Sequence, residues 1–152
     1  MNRRFIYRFS EIQEVKNGII GRCIITNGCF DILHPGHIRL LSWFHSIAQS
    51  EDLFPIVALN SDKSVRQIKG ISRPIVPEES RAQLISNLQW PFSVVIFDEE
   101  NPQKLMDFFK PAVVVKGSEY SNESVIKWED SEVITIGMLP NWSTSAIIGD
   151  RK

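Results

Sequence analysis

Residues 26–37 constrain this chain more than any other stretch, and they read Thr-Asn-Gly-Cys-Phe-Asp-Ile-Leu-His-Pro-Gly-His. They follow the apolar, β-branched run of residues 23–25, which is typical of a buried strand, and they precede apolar residues at helical spacing. A strand that turns directly into a helix is a basic unit of α/β folds. Free backbone N–H groups and the positive end of the helix dipole lie at such a turn, so it predicts a binding site for an anion such as phosphate.

Individual residues of the turn support this interpretation. Gly28 permits a close approach that a Cβ would block, and Pro35 suits the first helical position, where its missing N–H costs nothing. His34 is then expected at the N-cap, and His37, three residues later, projects to the same side of the first turn. Such a pair could be ordinary capping and surface residues, but Gly36, Asn27 and the hydroxyl-rich segment 143–145 favour a functional role.

The rest of the chain alternates strands and helices. Apolar runs predict further strands at residues 55–60, 93–97, 112–117 and 132–136, with helices at 37–49, 78–88 and 102–110, a terminal helix after 143–145, and short helices at 11–16 and 124–128. Residues 63–77 carry basic side chains around a glycine and end in prolines, which indicates an irregular basic loop. Short alternating elements predict a single-domain, Rossmann-like doubly wound parallel sheet of about five strands.

Composition sets the broad class of the protein. The chain has 152 residues, 43% of them hydrophobic, which suits one domain spanning residues 1–152. Its formal net charge is −1, so it lacks the overall basic field of a nucleic-acid-binding protein. No apolar run approaches the roughly 20 residues that cross a membrane, and the start lacks a signal-peptide core, so we expect a soluble, cytoplasmic protein. Cys23 and Cys29 lie roughly 20 Å apart on an extended chain, which predicts two reduced thiols.

Chemistry-bearing residues follow several of the predicted strands. In a doubly wound sheet, ligands bind outside the carboxyl ends of the strands, near the switch in strand order. The histidine turn, residues 60–62 and residues 116–120 occupy such ends, and the hydroxyls of 143–145 open the last helix. Histidines, lysines and helix N-termini together suit a polyphosphate. No nucleophile-and-base pair stands beside them, which favours a transfer in which the substrate supplies the nucleophile.

In order and spacing, these motifs resemble the HxGH nucleotidyltransferases, most of all the adenylyltransferase domain of the bifunctional heptose-phosphate kinase/adenylyltransferase. The likeness covers residues 22–150 and leaves 1–21 as an N-terminal extension. It rests on residues 27–37, Asn60-Ser61-Asp62, Lys69-Gly70, Arg73-Pro74, Arg81, Val115-Lys116-Gly117 with Tyr120, and residues 143–148. Ser118 departs from the pattern, since relatives often have a second glycine there.

The resemblance implies transfer of a nucleoside monophosphate from ATP to a sugar phosphate of the D-glycero-D-manno-heptose 1-phosphate type, with release of pyrophosphate. It implies catalytic roles for His34, His37 and Lys69. It implies Mg²⁺ that bridges phosphates and is held mostly by nucleotide and water, with no protein residue assigned as a metal ligand. The implied nucleotide-binding residues are Asn27, Gly28, Cys29, Phe30, Asp31, Gly36, Arg73, Lys116, Gly117, Ser143, Thr144 and Ser145. Among these, Arg73 and Lys116 are weaker assignments, as is Arg81.

Several alternatives stay open at this point. A CTP-dependent glycerol-3-phosphate cytidylyltransferase is the nearest, and a non-catalytic nucleotide-binding sensor is a second class. A dinucleotide oxidoreductase is disfavoured because the turn lacks the three-glycine spacing of that fold. Asp31 could simply cap the turn, Lys69 and Arg73 could belong to a solvated loop, and His45 is expected to be solvated. Partners are expected to be the nucleoside triphosphate and a sugar or polyol phosphate, and the apolar edges of so small a fold favour a homodimer.

Overall fold

The computed structural model describes residues 5–12, 18–118 and 124–149. These form one α/β unit whose strands alternate with helices along the chain. The strands are β1 (Ile6–Arg8), β2 (Cys23–Gly28), β3 (Phe54–Asn60), β4 (Ser93–Phe97), β5 (Val113–Gly117) and β6 (Glu132–Ile136). The helices are α1 (Pro35–Ser50), α2 (Asp62–Lys69), α3 (Glu78–Ser86), α4 (Gln103–Phe109) and α5 (Thr144–Ile148), with a 3₁₀ turn at Phe9–Glu11.

The strands of the described residues form one parallel sheet in the order β1-β4-β3-β2-β5-β6. The chain winds outward from β2 through β3 to β4, and then returns to place β5 on the other side of β2. The strand order therefore reverses between β2 and β5, which is where such sheets bind ligands. The Rossmann-like doubly wound sheet is confirmed, with six strands rather than about five, because β1 adds to the outer edge of β4.

Helices cover both faces of the sheet, and each face has its own apolar cluster. On one face, α1 and α3 pack against alternate strand residues; Leu41, Phe44 and Ile85 are fully buried there. On the other face, α4 supplies Leu105 and Met106, also buried. Because strands buried on both faces have no polar side, their sequences are nearly continuous apolar runs, and this made β4 and β5 easy to predict.

The secondary structure differs from the sequence analysis at three places. Residues 62–69 form helix α2 instead of the start of a basic loop, since Ser61 caps it by accepting the N–H of Ser64 at 3.1 Å. No helix occupies residues 124–128, where Val125 is buried against the sheet without helical pairing. Strand β1 was not predicted, because its three residues carry too short a pattern to be recognised. The predicted helix at 11–16 falls mostly on residues 13–17, outside the described residues.

His45 was predicted to be solvated, and this is wrong. It is half-buried on α1, with its ring centroid 6.4 Å from that of Trp90 and 6.2 Å from that of Phe92. Both cysteines are free thiols, as predicted. Within the described ranges, none of the helices combines the length and apolar character that a membrane span requires.

Candidate active site

The N-terminus of α1 is built around His34. Its side chain caps the helix, with Nδ1 accepting the N–H of Gly36 at 3.1 Å and that of His37 at 3.4 Å. Because Nδ1 is the acceptor, the neutral ring carries its proton on Nε2, which remains a hydrogen-bond donor. A Cβ at Gly36 would lie 2.8 Å from His34 Cε1 and 2.9 Å from Nδ1. Gly36 is thus required for the ring to lie back over the helix start.

His37 stacks on His34, with ring centroids 3.8 Å apart and 23° between the planes. Phe30 lies on another side, 5.1 Å away between ring centroids. Burial, with the nearby His34, lowers the pKa of His37 to about 4, and burial also lowers the pKa of His34. Both rings are therefore neutral at pH 7 and offer N–H donors rather than positive charge.

Asp31 and Arg73 form a buried ion pair, with Arg73 Nε 2.7 Å from Asp31 Oδ2. The Asp31 carboxylate also accepts the backbone N–H groups of Ile75 and Val76 at 2.9 Å. Burial alone would raise the pKa of Asp31, but these two N–H groups and Arg73 outweigh it and hold the pKa below its usual value. Asp31 therefore binds the loop after α2 to the turn after β2. Its role is not limited to capping its own turn.

The positive charge at the site comes from lysines. Lys69 is the last residue of α2 and is exposed, with Gly70 following in a left-handed conformation at φ 98°. Lys116 is half-buried near the end of β5, and its Nζ donates to the Asn27 carbonyl on neighbouring β2 at 2.8 Å. The two lysines thus approach the histidine turn from different elements.

A cleft of about 640 Å³ opens at the carboxyl ends of the strands. Its lining includes the predicted His34, His37 and Lys69. It also includes the predicted Asn27, Gly28, Cys29, Phe30, Asp31, Arg73, Lys116, Gly117, Ser143, Thr144 and Ser145. Two predicted residues are outside the lining: Gly36, which lies beneath the His34 ring, and Arg81, the weaker assignment. Burial raises the pKa of the Cys29 thiol, which disfavours a thiolate nucleophile at this position.

Helix α5 forms the side of the cleft facing α1. Ser143 caps it by accepting the Ala146 N–H at 3.0 Å, while Thr144 and Ser145 are half-buried. The Trp142 ring lies in stacked orientation 6.2 Å from His34 between centroids. The histidine turn and the Ser-Thr-Ser segment therefore meet at one cleft, although more than 100 residues separate them in sequence.

Sequence reasoning missed part of the lining. The additional residues are Leu40, Ile68, Glu100, Asn101, Pro102, Ser124, Val125, Ile126 and Met138. Trp142 and Asn60, the latter part of the family pattern, also line the cleft. Many of them follow β4, β5 or β6, so position after a strand was the available signal. Their residue types are not chemically distinctive, and that is why the signal was not used.

A smaller cavity of about 370 Å³ lies beside β1 and α3, and its lining includes Arg8, Glu79 and Gln83. Arg8 is already ion-paired with Glu78. The larger cleft, which gathers the histidine pair, two lysines and the helix starts, is the candidate active site.

The sheet is parallel, and two helix starts face each other at its switch point, one capped by a histidine and the other by a serine hydroxyl. This is the arrangement of a nucleotidyltransferase. The chain belongs to the cytidylyltransferase-like family, which it matches over residues 25–137. The resemblance to the HxGH nucleotidyltransferases is thereby confirmed.

Sequence relatives are consistent with this family. The chain is 44% identical over 128 residues to the bifunctional protein HldE of Rhodopseudomonas palustris strain BisA53, covering 81% of this chain and 25% of that protein. It is 42% identical over 128 residues to the HldE protein of Bradyrhizobium sp. strain ORS 278, with the same coverage. The chain thus spans about a quarter of the length of the curated relatives that it matches.

Solved structures show the same fold. A lipopolysaccharide core biosynthesis protein from Thermoplasma volcanium superposes with a TM-score of 0.60 at 25% identity, covering 80% of this chain and 99% of that one. A macrolide-efflux protein from Streptococcus pneumoniae gives a TM-score of 0.62 at 14% identity, covering 87% and 50%. The second likeness concerns the fold alone.

Proposed function

We propose that this nucleotidyltransferase transfers AMP from ATP to a sugar phosphate of the D-glycero-D-manno-heptose 1-phosphate type and releases pyrophosphate. The observation that carries the proposal is the meeting of the His34–His37 helix start and the Ser143–Ser145 segment across one cleft, with Lys69 and Lys116 beside them. The similarity to HldE proteins and to a lipopolysaccharide core biosynthesis protein supports a sugar phosphate as the acceptor.

In the proposed reaction, an oxygen of the acceptor phosphate attacks the α-phosphorus of the triphosphate. A new P–O bond forms as the bond between the α-phosphorus and the bridging oxygen breaks, and pyrophosphate leaves with that electron pair. His34 and His37, both neutral, donate hydrogen bonds to phosphate oxygens as negative charge builds on the leaving group. Lys69 neutralises charge at the transferred phosphate, and the 143–145 hydroxyls hold the outer phosphates.

The proposal includes Mg²⁺ as a companion of the nucleotide. Asp31 is saturated by Arg73 and two backbone N–H groups, so it is not available as a metal ligand. Across residues 5–12, 18–118 and 124–149, no cluster of three or more His, Cys, Asp or Glu side chains could hold an ion. These residues fit an ion that arrives with the triphosphate as part of the substrate, where it would supply neutralising charge between phosphates.

The test is pyrophosphate release from ATP, CTP, GTP and UTP, each with a panel of sugar and polyol phosphates. His37→Ala should lower turnover by about 100-fold or more, because its N–H acts on the leaving group. His45→Ala is the matched control, since His45 lies on the same helix but outside the cleft lining, and it should retain turnover. Unchanged pyrophosphate release by His37→Ala would contradict the mechanism.

The same matrix decides between acceptors and classes. Preference for CTP with glycerol 3-phosphate would favour the cytidylyltransferase alternative. ATP binding without pyrophosphate from any acceptor would indicate a nucleotide sensor. The homodimer stays a prediction, and light scattering of the purified protein tests it.

A further inference from the structure

Four charged residues connect edge strand β1 to the candidate active site, and we call them the edge network: Arg8, Glu78, Asp62 and Arg81. Arg8 of β1 is ion-paired with Oε1 of Glu78, the first residue of α3. The other oxygen of Glu78 accepts the backbone N–H of Asp62 at 2.6 Å. Asp62 Oδ1 in turn accepts the backbone N–H of Glu78 at 2.8 Å and pairs with Arg81 Nη2 at 2.7 Å.

Arg81 brings the edge network to the turn after β2. Its side chain is fully buried and does not line the cleft, so the direct nucleotide contact that the resemblance weakly implied does not fit its position. Nη1 donates to the carbonyls of Cys29 and Asn60, each at 2.7 Å, and Nε donates to the Val76 carbonyl at 2.8 Å. One planar, rigid guanidinium therefore holds the ends of two strands and the loop after α2 in a single geometry.

The edge network also sets the position of α2. Asp62 is the first residue of this eight-residue helix, and Lys69 is its last. The two helix starts cap each other: the Asp62 carboxylate accepts the backbone N–H of Glu78, and the Glu78 carboxylate accepts the backbone N–H of Asp62. Since a helix this short moves as one rod of roughly 12 Å, a shift at Asp62 displaces Lys69 as well.

We propose that the edge network positions the catalytic groups. Strand β1 then contributes to the active site through Arg8, although it lies outside the 25–137 family match. Glu78 is the central positioning residue, because its two oxygens join β1 to α2. This inference rests on the proposed transfer reaction, in which Lys69 acts on the phosphate being transferred. It predicts that disturbing Glu78, which is outside the cleft lining, lowers turnover rather than nucleotide affinity.

The first test compares Glu78→Gln with Glu79→Gln. A glutamine at 78 keeps one acceptor oxygen and cannot serve both Arg8 and Asp62, whereas Glu79 is exposed on the same turn of α3. We expect Glu78→Gln to lower kcat about tenfold through displacement of Lys69, with KM for the triphosphate within about twofold of wild type. Glu79→Gln should match wild type in both constants.

A second pair probes the outer end of the edge network. Arg8→Ala should lower kcat about threefold, and Arg8→Lys should recover most of that loss because a lysine can reach the same carboxylate. Arg22→Ala is the control, since Arg22 forms an exposed ion pair with Asp52 at 3.5 Å. All variants are assayed well below their melting temperatures, so that the fraction folded does not enter kcat.

Alkylation of Cys29 by iodoacetamide, followed by peptide mass spectrometry, gives a readout that does not need the reaction. Cys29 lines the cleft and is half-buried, its carbonyl is held by Arg81, and Cys23 is fully buried. Glu78→Gln should raise the alkylation rate of Cys29 several-fold over Glu79→Gln. Equal kcat for these two variants would overturn the inference. If no substrate gives turnover, only the proposed function fails. In that case, equal alkylation rates in Glu78→Gln and Glu79→Gln would overturn the positioning role of the edge network.

Discussion

Gly36→Ala separates the geometry of the histidine pair from the stability of the fold. The added Cβ would lie 2.8 Å from His34 Cε1. Since ordinary carbon–carbon contacts begin at about 3.5 Å, the His34 ring must move by roughly 0.7 Å. The ring has little room to move, because it is 6% exposed and stacked on His37 at 3.8 Å. A displacement of this size should lower kcat by about 10- to 100-fold, or roughly 1.4 to 2.7 kcal/mol of transition-state stabilisation.

Stability should change little in the same variant. Loss of the His34 cap costs about 1 kcal/mol, and replacing glycine by alanine in a helix returns up to about 1 kcal/mol. The melting temperature should therefore stay within about 4 °C of wild type. Pyrophosphate release and thermal denaturation are measured together, with Gly137→Ala as control, since a Cβ there meets only Arg39 Nη2 at 4.0 Å. If Gly36→Ala turns over at the wild-type rate, the reaction does not require the His34 ring at its present position.

Three further predictions concern charge. Folding lowers the pKa of His37 from an ordinary 6.5 to about 4, so the free energy of unfolding should fall by up to roughly 3 kcal/mol as the pH drops from 6.5 to about 4. Urea unfolding between pH 7 and pH 4 measures this pH dependence, and the same pH dependence in His37→Gln would contradict the prediction. Asp31→Asn leaves buried Arg73 without its counter-charge and should destabilise the fold by about 3 kcal/mol in urea unfolding; less than about 1 kcal/mol would exclude a strong pair. Lys69→Met should lower kcat about 100-fold without changing stability, whereas Arg66→Met, at an exposed position one turn earlier, should leave kcat unchanged.

Strands β2 to β6 and the histidine-bearing helix could be predicted from the sequence because local patterns specify them. The apolar runs of β4 and β5 admit few alternatives, and Pro35 following His34 marks the helix start. The site residues that were predicted carry distinctive chemistry or a family pattern. Helix α2 was missed because its surface is strongly polar, although Ser61 and Asp62 were a readable start signal.

Tertiary structure alone decided how these residues act. Asp31 lines the cleft, yet its carboxylate is saturated by a loop more than 40 residues away in sequence. The resemblance gave Arg81 a weaker assignment to the nucleotide site, whereas in the structure Arg81 donates to the carbonyls of Cys29 and Asn60. By itself, the sequence determined the sheet, the helix starts and the chemistry gathered at the strand ends, because these follow from short-range periodicity and capping. Which charges are free to meet a ligand depends on long-range pairing and burial, and only the folded chain decides that.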